Sequence, residues 1–421
     1  MKLKKESGYM EKVTGNFFSK EYESLEVLAD LISEELECPI TIEDDNHRII
    51  AYSRHEDEVD PVRIATIMRR RVPENVINSL WKVGAIPKLF ETEEPVTVPR
   101  IDQVGIRERV AISVRKNKEV VGFIWAHPRK PFNEEKIMIL KEAAKAVKNQ
   151  LIQRQKQKTE TEKNYEELFW KLLTGHFTRL RDLEQVNERY NLVLKGALAV
   201  VILDFLQPIS QPVERQTSYL VETMQQLPII ARTFDNGQLI LLVRLPEKET
   251  EQAIGDFTNN LINKIKERQQ ITGIIAASGS VTNNPLELAR SYQEALYVLK
   301  VKQQFSLAAA SIFSYDKLGV FQFIEDLAAI RKQSGYTNPA IEKLSQYDRD
   351  HHANLQETIF VFLHHDGNMN DAAKALHIHA NTLAYRLKRI SEIAGINLKD
   401  ANQKITLYLD LLIKQLEEES L

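Results

Sequence analysis

The sequence predicts a multidomain α+β chain. It has a strand-rich N-terminal region flanked by helices, one long connecting helix, an alternating α/β middle region and an all-α C-terminal region. Three observations carry this expectation. Short strand patterns cluster between Pro39 and Trp125, a long helical run opens at Asn133, and two short helical patterns flank a tight turn between Asn370 and Ile390. At 421 residues the chain exceeds one ordinary domain, and roughly three are expected at ~100–200 residues each.

Composition narrows the class. Apolar residues make up 43%, enough for real cores, while a net charge of −3 and a pI near 6.4 give no global basic signal. Any contact with nucleic acid must come from a local patch. Cys38 is the only cysteine, so neither an intrachain disulfide nor a cysteine metal cluster is available, which fits a reducing cytoplasm. The opening Met1-Lys-Leu-Lys-Lys-Glu lacks the apolar run of a signal peptide. No stretch of ~18 apolar residues occurs, so no membrane partner is expected.

Residues 1–23 read as a polar tail. Ser24 is placed to cap a helix whose Leu25, Leu28, Ile32 and Leu36 recur at helical spacing. Two strands, 39–45 and 48–53, flank a polar turn at Asp45-Asn46. Two helices follow, 61–71 and 73–83, each opening with proline. The strands 96–98, 109–114 and 120–125 complete the region, the last two joined across Lys116-Asn117-Lys118 as a hairpin. In layout, residues 24–132 resemble the GAF or PAS class of small-molecule sensors. Tyr52, Trp81, Phe123 and Trp125 are candidates to line an effector cavity, and Arg107 or Arg109 to meet a carboxylate. Core packing accounts for the aromatics equally well, and surface exposure accounts for the arginines. An amino-acid effector would require one arginine and one acidic residue to converge here.

Asn133 opens the long helix, spanning 133–174. Ile137, Leu140, Ala144, Val147, Leu151, Tyr165, Leu168 and Leu172 fit one heptad frame, interrupted by Arg154, Lys158 and Thr161. Two readings stay open, a parallel coiled coil between two copies and a solvated linker helix.

Residues 175–304 alternate in the order β-α-β-β-α-β-α. Ala197 to Asp204 is a continuous apolar run, as in a buried strand. Asp235-Asn236-Gly237 between two strands is a hairpin signal. Helices are expected over 218–227, 249–268 and 286–302, and a strand over 273–277. The region resembles degenerate GGDEF-type domains, in whose active members this hairpin carries Gly-Gly-Asp-Glu-Phe. Here it reads Thr233-Phe-Asp-Asn-Gly237, without the acidic pair, and Asp204 lacks a partner for a metal. The histidines are scattered, and neighbours such as His364 and His365 point in different directions. No P-loop, G-x-S-x-G or H-E-x-x-H occurs. No enzyme activity, cofactor or metal site is therefore expected.

Residues 305–353 read as a linker around one helix near 320–332, and residues 354–421 as the C-terminal unit. Leu355, Ile359 and Phe362 give the unit's first helix an apolar face, and Asp366-Gly367-Asn368 breaks it. Asn370 is expected to cap a short helix with Ala372, Ala373 and Leu376 inward. In the next helix Leu383, Leu387, Ile390 and Ala394 form the buried stripe. Asn381, Tyr385 and Lys388 fall on the opposite face, with Thr382 and Arg389 on its shoulders and His379 at its start. Arg386 lies nearer the core edge, placed either to reach a phosphate or to pair within the first helices. Gly395 is positioned as a left-handed cap. A tight turn with an outward polar and basic helix face is the arrangement of a helix-turn-helix that enters the major groove of double-stranded DNA. Asparagine can read adenine there, while arginine and lysine favour guanine or phosphate.

Tyr315-Asp-Lys-Leu-Gly319, Leu344-Ser-Gln-Tyr-Asp348, Asp366-Gly-Asn368 and Asn381-Thr-Leu-x-Tyr-Arg-Leu-x-Arg-Ile390, with Gly395 and Leu398, resemble the C-terminal half of PucR/CdaR-type bacterial transcription regulators. The similarity spans roughly residues 197–412. Many members carry arginine where this chain has Ala380 and Ala384, which implies a different operator. The resemblance implies a ligand-responsive activator of a catabolic operon, with a variable sensor at its N-terminus. It implies a homodimer or higher homo-oligomer on an inverted-repeat operator, acting on RNA polymerase. In layout the chain is most similar to proline-responsive activators of proline-utilisation genes, which would make proline the effector. A different class of function remains beside it, a signalling protein that binds a small ligand or nucleotide and acts on another protein.

Overall fold

The computed structural model describes residues 24–53, 61–184, 193–247, 249 and 251–418; the expected tail 1–23 and His55 lie outside the described residues. Backbone contacts divide the chain into two compact units, one of residues 1–196, 207–234 and 243–272, the other of residues 197–206, 235–242 and 273–421.

In the first unit, α1 (Leu25–Leu36) starts as expected at Ser24, whose hydroxyl accepts from the Val27 amide at 3.3 Å. Strands β1 (Ile40–Asp44) and β2 (Ile49–Tyr52) come next, and α2 (Pro61–Arg69), α3 (Glu74–Lys82) and α4 (Ala85–Glu91) follow them. Helix α4 was not expected from the sequence, because its seven residues are too few to show a periodic pattern. Strands β3 (Val96–Val98), β4 (Arg109–Lys116) and β5 (Glu119–Ala126) complete an antiparallel sheet of order β2-β1-β5-β4-β3. Gly122 in β5 has no alternative, because a Cβ there would lie 2.3 Å from the Glu43 carbonyl oxygen.

Strand alternation gives this sheet two distinct faces. On one, Ile40, Ile42, Ile112, Val114 and Ile124 pack with α1 and with Leu140, Val147 and Leu151 of α5 (Glu134–Leu173). On the other, Ala111, Phe123 and Trp125 pack with Val76 and Leu80 of α3 and with Ile86 and Leu89 of α4. The strands and flanking helices are those expected of this region, apart from α4. The first half of the proposed heptad seam is thus spent on intrachain packing, because the face that would meet a second helix meets the sheet instead. Lys158 and Thr161, in the middle of that seam, lie outside the described side chains.

The same unit holds α6 (Gln211–Thr223), β7 (Ile229–Asp235) and α7 (Gln252–Gln269). The helix α6 begins seven residues before its expected start, with proline in its first turn.

The four-stranded middle sheet has the order β7-β8-β6-β9, with β6 (Ala197–Asp204), β8 (Gln238–Leu245) and β9 (Ile275–Ser278). In the second unit, β6 pairs antiparallel with β9, and α8 (Leu288–Gln304) lies on both. The remaining helices are α9 (Ile324–Ser334), α10 (Pro339–His351), α11 (Leu355–His364), α12 (Met369–Ala375), α13 (Ala380–Ala394) and α14 (Ala401–Glu418). The stretch 305–353 is more than the linker expected. Ala340, Ile341 and Leu344 of α10 belong to the same apolar core as α11, α13 and α14. Its polar composition hid a helix with only one apolar stripe. Buried Asp410 of α14 fixes this end of the unit, bonded to Asn338 at 2.8 Å and to Arg331 at 3.0 Å. Among the described residues no helix is long and apolar enough to cross a membrane.

Candidate nucleic-acid interface

The interface is built outward from α10. Its Asp348 carboxylate accepts from the Leu355 and Gln356 amides at 2.7 and 2.9 Å, satisfying the first two donors of α11. A side chain seven residues upstream therefore does the work of an N-cap, since Asn354 itself is left-handed at φ 49°. Helix α11 ends where Asp366 and Gly367 both take positive φ, and Gly367 lies against the Phe362 ring. Asn368, rather than the expected Asn370, caps α12. Its side-chain oxygen accepts from the Asn370 and Asp371 amides at 3.0 and 3.3 Å, so Asn370 is already inside the first turn.

The turn between α12 and α13 is short. His377 sits at φ 54°, and the Ile378 amide returns to the Ala373 carbonyl at 3.0 Å. His379 then caps α13, its Nδ1 accepting from the Asn381 amide at 3.2 Å. The expected DNA contact of His379 is thus accompanied by a structural duty. Gly395 closes α13 at φ 70°, as expected.

The two faces of α13 separate cleanly. Leu383, Leu387, Ile390 and Ala394 are buried in the core. Asn381, Thr382, Tyr385, Lys388 and Arg389 are exposed, Tyr385 to 71%. A tyrosine this open on a packed helix gains nothing from the core, so its ring is available to a partner. Arg389 is held sideways, its Nε 3.3 Å from the Tyr347 hydroxyl and its guanidinium 3.4 Å from Glu392. Arg386 differs from its neighbours. It is half-buried and donates to the hydroxyl of buried Thr358 on α11 at 3.1 Å. Of the two roles left open for Arg386, the structure places it in the inward one, with a hydroxyl in place of the expected acid.

The effector candidates scatter. Tyr52 and Arg107 are exposed. Phe123 is fully buried, stacked on His47 at 4.9 Å between ring centres, and is a core residue. Trp81 donates to the Tyr219 hydroxyl at 3.1 Å and carries the Arg268 guanidinium over its ring. Only Arg109 and Trp125 come together, lining one small cavity. Glu43, Arg63 and His127 line it too and were not singled out from the sequence. In the middle domain Asp204 is engaged structurally, accepting from the Leu206 amide at 2.8 Å and from Gln238 at 2.9 Å.

Comparisons with known proteins agree with this geometry. Residues 355–413 match the PucR C-terminal helix-turn-helix domain, and residues 174–301 match a GGDEF-like domain. The chain is 44% identical over 401 residues to the DNA-binding transcriptional activator AdeR of Bacillus subtilis, covering 95% of each chain. It is 28% identical to the proline-responsive transcriptional activator PutR of the same organism, covering 96% of this chain and 99% of that one. It is 27% identical to the carbohydrate diacid regulator of Escherichia coli, covering 47% of this chain and 52% of the relative.

Proposed function

Because the chain belongs to the PucR family of DNA-binding transcriptional activators, we propose that it switches on a catabolic operon in response to a small metabolite, an amino acid and specifically proline. The observation that carries the DNA-reading part is the exposed row Asn381, Tyr385 and Lys388 on a helix fixed from behind by Leu383, Leu387 and Ile390. In this reading Asn381 and Thr382 address base edges, while Tyr385, Lys388 and Arg389 address phosphate and sugar. His379 and Arg386 position the helix. The amino-acid part draws on the name of the proline-responsive relative, which is similar over nearly its whole length.

A homodimer would set two copies of α13 about one DNA turn apart, ~34 Å, on an inverted-repeat operator. The partners are then promoter DNA, RNA polymerase and the effector, in the cytoplasm. The GGDEF-like domain serves as a scaffold and not as an enzyme.

Cross-linking and immunoprecipitation in cells grown with and without proline tests the whole reading. A few sharp genomic peaks beside proline-utilisation genes are expected, with expression rising when proline is supplied. Sharp peaks beside other catabolic genes would keep the DNA reader and discard proline. An absence of peaks in both conditions would overturn the reading of α13.

A further inference from the structure

We propose that the cavity under the second face of the N-terminal sheet is the effector site, and that it takes an α-amino acid as its zwitterion. This rests on the amino-acid reading above and gives it a location. The two faces of the sheet differ in chemistry. Where β1, β4 and β5 meet α1 and α5, the inward residues are aliphatic. Facing α2 and α3, the sheet instead places Thr41, Glu43, Arg109 and Trp125 around a cavity that Arg63 closes from α2.

All five are at least nine-tenths buried, Arg63 and Trp125 to 2% exposure and Glu43 to 4%. Burying charged groups costs several kcal/mol per ion in general, and aliphatic residues would fill this face without that cost. The Trp125 indole N–H has no hydrogen-bond partner among the described residues and lines this cavity. A buried donor left unmatched calls for an acceptor.

The groups suit the two ends of an amino acid. The Arg63 guanidinium is held in place, donating to the Thr41 hydroxyl at 3.3 Å and to the Ser53 carbonyl at 3.0 Å. Its positive charge and that of Arg109 favour a carboxylate on this wall, and the Trp125 N–H supplies the donor to it. Glu43 offers the acceptor for an ammonium. Val72, Val76 and Leu80 complete the wall and favour a compact aliphatic side chain.

One oxygen of Glu43 is already committed. Trp81 can only donate, so the Tyr219 hydroxyl accepts from it at 3.1 Å and turns its own proton to His47 Nε2 at 2.8 Å. His47 Nδ1–H then donates to Glu43 Oε2 at 2.8 Å, which holds the carboxylate at the cavity wall. Burial raises the Tyr219 pKa well above the ordinary phenol value, so this hydroxyl keeps its proton.

The cavity measures about 10 Å³, room for roughly one water. Binding must therefore push α2 and α3 away from the sheet. Helix α3 also carries Glu74 and Trp81, which hold Lys264, the Gln225 amide and Tyr219 in the elements after residue 210. Opening the cavity strains those contacts, which gives occupancy a route out of the sensor.

Calorimetric titration of the full chain with L-proline, then with the other standard amino acids, tests the site. N-acetyl-L-proline and L-prolinamide, each lacking one charge, are expected to bind at least about tenfold more weakly than the free amino acid. Glu43→Gln and Trp125→Phe should each weaken the free amino acid by about tenfold or more, with operator affinity unchanged. Trp125→Phe removes the N–H and shrinks a buried ring, so its melting curve is read beside its affinity; it stands as the test should Glu43→Gln fail to fold. Unaltered amino-acid affinity in the folded variants would overturn this site while leaving amino-acid control intact. Equal binding of the amide or the acetylated form would overturn the zwitterion assignment. No binding of any standard amino acid by a chain that still binds DNA would overturn the amino-acid reading and this site with it.

Discussion

The recognition helix and the second face of the N-terminal sheet both present polar side chains, in opposite settings. On α13, Asn381, Tyr385 and Lys388 stand in solvent, where polar atoms are hydrated and cost nothing. Under the sheet, Thr41, Glu43, Arg63 and Arg109 are buried, where a polar group has to be matched by a partner or cost about 1–3 kcal/mol. The two settings call for different kinds of inference. An exposed polar row is ordinary and gains meaning only from what fixes it, here a tight turn and a buried stripe. A buried polar row is unusual by its energy alone and needs no motif to be noticed.

The largest effect should come from stripping the exposed row. Tyr385→Ala and Asn381→Ala should each weaken operator binding by about 1–3 kcal/mol, roughly 5- to 150-fold, as expected for lost groove contacts. Because both side chains are solvent-exposed, the thermal midpoint should move by no more than a degree or two. Fluorescence anisotropy with labelled operator, beside a melting curve, measures both. Unchanged affinity in both variants would remove α13 from the groove.

Next in size are changes beneath the row. Asp348→Ala strips two amide acceptors from the start of α11 and should destabilise the C-terminal bundle by about 1–2 kcal/mol, the usual cost of a lost cap. Affinity per folded molecule should stay the same. Urea unfolding followed by circular dichroism reads the first quantity, and binding at saturating stability the second. A loss of affinity without a loss of stability would mean that Asp348 shapes the reading face directly.

These pairs show what the sequence could and could not display. The stripe Leu383, Leu387, Ile390, Ala394 and the glycine at 395 were legible because helical spacing and left-handed caps are local properties. The strands were legible for the same reason, since alternation needs only neighbours. The α10 helix was not, because its stabilising contacts come from α11, α13 and α14, far along the chain. The Asp348 cap escaped because it reaches seven residues forward across a break in the helix. Of the residues lining the cavity under the N-terminal sheet, Arg109 and Trp125 were legible as candidates and Glu43 and Arg63 were not. The charged pair sits in patterns that look like a strand end and a helix turn. Only the register of β1 against β5, with Thr41 opposite Trp125 and Glu43 opposite Phe123, brings Glu43 to the buried face.

A smaller effect should separate neighbours on the same helix. Thr358→Val removes the hydroxyl that holds Arg386 and keeps the side-chain volume close. It should cost about 1 kcal/mol of stability, the typical net worth of one hydrogen bond. Released from Thr358, Arg386 becomes free to swing outward, so operator affinity should hold or rise slightly. A fall in affinity would show that the inward position of Arg386 is needed to aim α13.

The smallest effect is the sharpest discriminator between the outward and inward cations. Lys388→Ala should weaken all sequences alike and lower the slope of log affinity against log salt by about 1, since one phosphate contact contributes roughly 0.9. Arg386→Gln should leave that slope unchanged, because its guanidinium is held by Thr358 rather than by the backbone of DNA. Titrations across a salt series with operator and with unrelated duplex give both slopes. If Arg386→Gln flattens the slope as much as Lys388→Ala, the arginine exchanges Thr358 for a phosphate on binding. The inward and outward faces of α13 would then be two states of one side chain rather than two fixed roles.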